Sequence, residues 1–386
     1  MTRDALTPTV TTSRPFRTLD RARVQAAVDS DARHQRAAAT LRAYASDWQA
    51  FMTWATAEGI SPLPVETDTL LVYLEEKGAA VDQDGNPVLR PGTLRRHVAA
   101  INYIHRSAGF APPGDSPQIR DKLTSLRRRF GTPPRRKQAL LVADITRMLE
   151  SMDVLTWPAA LTSARDSAVI LLAFAGGFRR SELAAVTMGD VTLRSGHGAL
   201  IAVPRSKTDQ GGKGRSKAIA VGEHTVTCAM CALCRWAHIA HTYDTHDVNR
   251  ADSRAQRFLL RTHAPGHDEH YHIWPLPPVP RKPQVQDVEG RRPLLRAVTQ
   301  GGLVSSVGMS GRAIAERLKR RAAAAGLDPT RIGGHSPRAG LVTQAINNGV
   351  PSALIRQQTG HSSDAALAPY YRGDPYRDNA THHLGL

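Results

Sequence analysis

Hydrophobic positions in the first third of the chain recur at helical spacing. Leu41, Tyr44, Trp48 and Phe51 lie three or four residues apart before Gly59 stops the run, which predicts a helix with one buried stripe. A second helix carries Leu70, Leu71 and Leu74. A third opens at Pro91, which has no N–H to leave unpaired in a first turn, and lines up Leu94, Val98, Ile101 and Ile104. A fourth, over 118–130, ends in Arg127, Arg128 and Arg129. The stripes read as core packing, so residues 36–130 are expected to form a small all-helical domain with basic edges. The arm before it, 1–35, is rich in Thr, Pro and Arg and reads as flexible.

Residues 131–138, GTPPRRKQ, form a Pro-rich basic linker, and a larger domain follows over 139–386. Helices are predicted over 141–152 and 164–175, the second closed by Gly176 and Gly177. GFRRSELAAVTMGDV then places Arg179, Glu182 and Leu183 at the start of another helix, where free N–H groups favour an anion. After Asp190 the period switches to two. Segments 191–193, 199–204 and 217–221 read as a small antiparallel sheet, the last two joined by the basic turn RSKTDQGGKGRS. Residues 242–290 turn polar, Pro-rich and His-rich, the composition of an insertion made of long loops. Helical pattern resumes over 310–325 with Arg312, Arg317, Lys319, Arg320 and Arg321.

Charge decides the class of partner. The 386 residues hold 51 Lys plus Arg against 34 Asp plus Glu, a net +17 that calls for a polyanion. No apolar run approaches the roughly 20 residues that span a bilayer and no signal peptide opens the sequence, so nucleic acid is favoured over membrane. All three cysteines fall within 228–234, which gives no disulfide framework and suits a reducing cytoplasm. An aromatic content of 5% offers few stacking platforms for single strands, leaving duplex DNA as the expected ligand. Candidate phosphate contacts are Arg95, Arg96, Arg127, Arg128, Arg129, Arg135, Arg136 and Lys137; a merely solvated basic face is the alternative. In CAMCALCRWAH, over 228–238, the Cys-x-x-Cys-x-x-Cys spacing with a later His suits a metal, whereas Met230, Leu233 and Trp236 suit an amphipathic helix. The helix is the preferred reading; no metal and no cofactor are expected, and the insertion's histidines read as solvated.

The densest chemistry lies near the C-terminus. HSPRAG puts Arg338 one helical turn after His335, TGHSS supplies His361, and Tyr370 follows nine residues later. A guanidinium fork matches two phosphate oxygens, imidazoles move protons, and a phenol is a nucleophile. With Arg179 in GFRRSEL and Lys207 in RSKTDQ upstream, six positions stand in order, and in that order the sequence resembles the tyrosine recombinase, or phage integrase, family. The resemblance covers nearly the whole chain. It implies a mainly α fold with a small antiparallel β-sheet: an N-terminal helical core-binding (SAM-like) domain, then a catalytic domain, closing as a C-shaped clamp on duplex DNA. Cleavage would pass through a 3′-phosphotyrosine without metal or cofactor, at specific sites, in a homotetramer on DNA and with accessory DNA-bending proteins.

Residue by residue, the resemblance implies Tyr370 as nucleophile and Arg179 and Arg338 as neutralisers of the scissile phosphate. It implies His335 as proton acceptor or transition-state donor, His361 as a further phosphate donor and Lys207 as the acid at the 5′ oxygen, with Glu182 orienting an arginine. Three departures stand out. Pro337 replaces the usual Leu, Pro369 should hold Ala368 extended, and the insertion is longer than typical. Two other functions share parts of the pattern: a DNA-binding protein on a catalytically retired scaffold, against which the intact set argues, and a type IB topoisomerase-like relaxing enzyme.

Overall fold

The structure, a computed structural model, describes residues 38–131, 137–194, 196–203, 214–246, 248–262, 269–274 and 291–371. Arm 1–35, Arg135, Arg136, Lys207 and the segment after Tyr371 lie outside the described residues. The chain divides into two compact units, Met1–Pro134 and Arg135–Leu386.

The first unit is four helices: α1 (Ala38–Ala57), α2 (Thr67–Ala79), α3 (Pro91–Ser107) and α4 (Pro117–Phe130). Phe51, Leu70, Leu74, Leu94, Ile101 and Ile119 are almost fully buried, each stabilising by about 1.5–3 kcal/mol. α4 begins where Ser116 accepts a hydrogen bond from the Ile119 N–H at 3.3 Å. A polar network crosses this core: the buried Asp47 carboxylate accepts both Arg96 Nε (2.7 Å) and Arg96 Nη2 (3.0 Å), and faces His97, whose other ring nitrogen meets the Tyr73 hydroxyl at 2.7 Å.

The second unit is built around α6 (Ala159–Ala175), whose residues are buried on nearly every side, as a central core helix requires. Around it lie α5 (Val142–Glu150), α7 (Arg180–Ala185), α8 (Ala229–Thr245), α9 (Val248–Thr262), α10 (Gly311–Ala324), α11 (Ser336–Asn347) and α12 (Ser352–Thr359). β1 (Val191–Arg194), β2 (Gly198–Val203) and β3 (Arg215–Ala220) pair antiparallel in sequence order. β4 (Arg296–Val298) and β5 (Val304–Gly308) form a separate antiparallel pair. The fold is therefore mainly helical with small antiparallel sheets. Among the described residues no helix is long and apolar enough to cross a membrane.

Two features correct the sequence reading. The insertion is not all loop, because α9 lies inside it and buries Ala251, Ala255, Phe258 and Leu259, a stripe at spacings of four, three and one. Its Arg-rich opposite face had hidden that stripe. Ala368, expected extended, instead opens a 3₁₀ turn, Ala368–Tyr370, preceded by a Tyr370 N–H to Leu367 carbonyl bond of 2.8 Å.

Buried charges knit the second unit. Asp166 accepts Arg165 Nε at 2.6 Å and Arg321 Nε at 2.7 Å, fastening α10 to α6. Arg296, 2% exposed, forks Asp244 through two bonds of 2.6 and 2.7 Å. The stretch entering the unit is stitched to α11 and the turn before it: Gln138 N–H donates to Arg331 O (2.8 Å), Leu140 N–H to Ser336 O (3.2 Å), and Lys137 Nζ to Thr330 O (2.6 Å). At Gly340 a Cβ would stand 1.7 Å from the Leu140 carbonyl oxygen, so only glycine admits this approach.

Candidate active site

The site forms where the ends of α6, α7, β3, α11 and α12 converge. α6 ends at Gly176 and Gly177, and Gly177, at φ +53°, offers its carbonyl to Arg338 Nη1 at 2.7 Å. α7 is short; the Glu182 carboxylate turns back to accept the Arg179 N–H at 2.9 Å and Arg179 Nη1 at 2.5 Å, fixing the guanidinium it borders. His335 is the residue before α11, and Pro337 lies in the first turn, where no N–H is needed. The departure at Pro337 therefore leaves the presentation of Arg338 intact. α12 closes on Gly360 at φ +75°, and a Cβ there would stand 2.0 Å from Arg215 Nη1, which accounts for the glycine before His361.

These elements bring five of the six motif positions together. His335 Nε2 lies 2.7 Å from the Tyr370 hydroxyl, and the His361 and Tyr370 rings are 5.6 Å apart. Arg338, 1% exposed, reaches His361 Nε2 through Nη2 at 3.3 Å, while its buried Nε has no partner among the described residues. Thr359 Oγ1 donates to Ile355 O at 2.6 Å, so it accepts from His361 Nδ1 at 2.8 Å. That chain assigns His361 the Nδ1–H tautomer, its Nε2 lone pair turned to Arg338. Tyr370 packs against the small cluster of Val342, Ile355 and Leu367, which holds the phenol in its own chain's site.

The electrostatics share one sign. Burial first, then the Arg179 guanidinium, lowers Arg338 to about 10. Burial, then Arg338 and Arg179, lowers His335, and the same order of causes takes His361 down to about 4. Both imidazoles are therefore neutral near pH 7. Positive charge is gathered here in excess, the arrangement of a site completed by an anion.

The sixth position, Lys207, is outside the described residues. A different lysine, Lys217, reaches the site: its Nζ donates to Gly176 O (2.7 Å), Gly177 O (3.2 Å) and Gln358 O (2.8 Å) and sits 5.0 Å from the Phe178 ring centre. Burial, then Arg338, pushes it down to about 7, whereas three carbonyls accept only from an ammonium carrying all its protons. Lys217 is thus a charged tether between α6, β3 and α12. Gln358 reinforces the tie, donating to Ala175 O and Ala218 O at 2.8 Å each. Sequence reasoning set Lys217 aside, with Lys213, as a decoy for Lys207, and passed over Arg215, Gln358 and Thr359. For Lys217 a signal existed: β3 alternates exposed and buried, and Lys217 occupies the inward phase with Ile219. Arg179, Arg215, Lys217, Arg356 and Gly360 border a cleft of about 390 Å³.

In the first unit, Arg95 and Arg127 line a groove of about 650 Å³ with Arg90 and Phe130. Arg128 is exposed and Arg129 lies over the Phe130 ring at 4.7 Å. Arg96 reaches the same groove but is held by Asp47, and Lys137 is held by Thr330.

No family model matches the chain. Among solved structures, a lambda integrase fragment dimer bound to a COC′ core site aligns with TM-score 0.47 at 15% identity, over 92% of this chain and 95% of that one. Recombinase Cre of Escherichia phage P1 is 25% identical over 175 residues, 44% of this chain and 45% of Cre. The integrase/recombinase XerD homolog of Selenomonas ruminantium is 28% identical over 349 residues, 89% of this chain and 85% of that protein. Six motif positions stand in order in this chain, and its similarity to that integrase/recombinase runs along almost the full length of both proteins.

Proposed function

We propose that this protein is a site-specific DNA recombinase that cleaves and rejoins duplex DNA through a 3′-phosphotyrosine. The observation that carries the reading is the 2.7 Å contact between Tyr370 and a neutral His335, beside a buried guanidinium with no carboxylate bonded to it among the described residues. His335 Nε2 accepts the phenol proton as Tyr370 Oη attacks phosphorus. Arg338 and Arg179 take the charge that grows on the non-bridging oxygens, and the unpartnered Arg338 Nε is one donor free for them. Glu182 orients Arg179. His361, its Nε2 lone pair turned to Arg338 Nη2, holds that guanidinium in place beside the phosphate. The 5′ oxygen leaves with a proton from Lys207, and reversal of these steps with a new 5′ hydroxyl seals the exchanged strand.

Partners follow from the chemistry: duplex sites read at phosphates by Arg95, Arg127, Arg128 and Arg129, with Arg135 and Arg136 as further contacts, and a homotetramer in which paired cuts are exchanged. Accessory DNA-bending proteins and a cytoplasmic location belong to the same reading. A retired DNA-binding scaffold has no need of a tyrosine docked on a histidine. A type IB relaxing enzyme would act as a monomer without joining two sites. The decisive experiment uses a nicked suicide substrate carrying the host element's ends. The unmodified protein should trap a covalent adduct, and Tyr370→Phe should bind the same DNA within about 2-fold and form none. Adducts that persist in Tyr370→Phe would overturn the assignment.

A further inference from the structure

Far along the chain from the motif residues, four soft or borderline ligands converge. Cys228 and Cys231 stand at the start of α8, and His270 and His272 arrive from the described part of the insertion; their ligand atoms all lie within 4.8 Å of one another. Cys228 Sγ is 3.4 Å from His272 Nε2. Cys231 Sγ is 3.2 Å from His270 Nδ1 and 3.4 Å from His272 Nε2. Two ligands of one tetrahedral Zn²⁺, at about 2.0–2.3 Å from the ion, stand roughly 3.3–3.8 Å apart. The four groups already have nearly that spacing.

The backbone points the same way. Cys228 Sγ accepts N–H groups from Gly222 (3.3 Å) and Cys231 (3.4 Å), and Cys231 Sγ accepts the Tyr271 N–H at 3.4 Å. Amide donors aimed at sulfur favour thiolates, and two adjoining thiolates call for a cation between them. Gly222 is built into this arrangement, because a Cβ there would lie 2.9 Å from Cys228 Cα. Cys234, one turn further along α8, is buried in the main core and belongs to no such group among the described residues. The three-cysteine spacing thus resolves into Cys-x-x-Cys plus His-x-His.

We infer that Cys228, Cys231, His270 and His272 bind one Zn²⁺ in a closed tetrahedral Cys₂His₂ site that pins the insertion to the main body. All four positions are taken by protein, so the role is structural rather than catalytic. The ion joins residues 39 apart in sequence, Cys231 and His270, and fixes the turn after β3 through Gly222. It also steadies Tyr271, whose hydroxyl meets His238 Nδ1 at 3.2 Å and whose ring packs edge-on against Phe258 of α9. The inference stands apart from the recombinase reading, since nothing in it touches the phosphate site.

Metal content of the full-length, untagged protein tests it. One zinc per chain is expected, with Cys234→Ser retaining it and Cys228→Ser/Cys231→Ser losing it. Should the cysteine pair fail to fold, His270→Ala/His272→Ala removes ligands from a more exposed segment and should bind Zn²⁺ at least 100-fold more weakly. Replacement by Co²⁺ should give a thiolate-to-cobalt charge-transfer band with the visible bands of a tetrahedral site. Chelation should lower the melting temperature and leave adduct formation by refilled and stripped protein within a few fold. Protein that takes up neither ion, carries a Cys228–Cys231 disulfide, or loses zinc equally in Cys234→Ser would overturn the assignment.

Discussion

Arg296 and Arg338 are equally hidden from water, at 2% and 1% exposure, yet their surroundings are opposite. Arg296 forks a carboxylate, Asp244, in two short bonds. Arg338 has a backbone carbonyl, a neutral imidazole and an Nε with no partner among the described residues. A buried cation without a counter-ion is costly, and the fold tolerates it where a ligand completes the arrangement. Arg296 is finished by folding, whereas Arg338 is left with a donor for the DNA phosphate that the proposed function brings to it.

The sharpest way to break that contrast is to remove each guanidinium in turn. Arg338→Gln should cut adduct formation on the order of 10³-fold and cost no more than about 1 kcal/mol of stability, because the charge it removes was unmatched. Arg296→Gln should cost about 2–4 kcal/mol in urea unfolding, Arg292 still reaching Asp244, with cleavage at a permissive temperature nearly unchanged. The reverse pattern would mean that Arg338 is a structural residue.

Next in size is the difference between the two lysines. Lys207→Ala should slow cleavage of the natural site by about 10²–10⁴-fold and act almost normally on a substrate whose bridging 5′ oxygen is sulfur, a leaving group that needs no proton. Lys217→Met, which loosens Gly176, Gly177 and Gln358 together, should depress both substrates alike and lower the melting temperature. Rescue of Lys217→Met by sulfur would exchange the two roles.

The smallest effect is on pH. His361 titrates at about 4 in the fold against an ordinary value of 6.5, so between those limits the unfolded chain binds more protons. Stability therefore falls as pH drops through that window. The half-exposed ring limits the loss to about 1–2 kcal/mol after solvent screening. His361→Asn should flatten that slope, as followed by urea midpoints from pH 7 to 4.5, while Arg296→Gln should keep it. An unchanged slope in His361→Asn would show that the imidazole is not held neutral by burial beside Arg338 and Arg179.

Much of this was legible in one dimension because the helical stripes are regular and the motif residues lie at element ends that glycine and proline mark. Arg179, His335, Arg338 and His361 were singled out by their order along the sequence and by the resemblance that order carries. What escaped depended on partners distant in sequence. Arg96 looked like a free phosphate contact until Asp47, 49 residues earlier, was seen to hold it. The apolar stripe of α9 is thin beneath its arginines, and the ligands of the cysteine pair come from a stretch whose composition reads as loop. Lys217 was visible only to an alternation argument across β3, which the surrounding basic turn obscures.

The glycine at 340 gives the extended segment entering the second unit a mechanical grip on the site. Leu140 lies against α11 two residues past Arg338, with no side chain between and its N–H bonded to Ser336. Tension along the chain at residues 137–140 is thus delivered, without an intervening soft layer, to the turn bearing His335 and Arg338. A bulkier residue at 340 would act as a shim, parting the two segments and displacing the guanidinium while every side chain of the candidate site remained present.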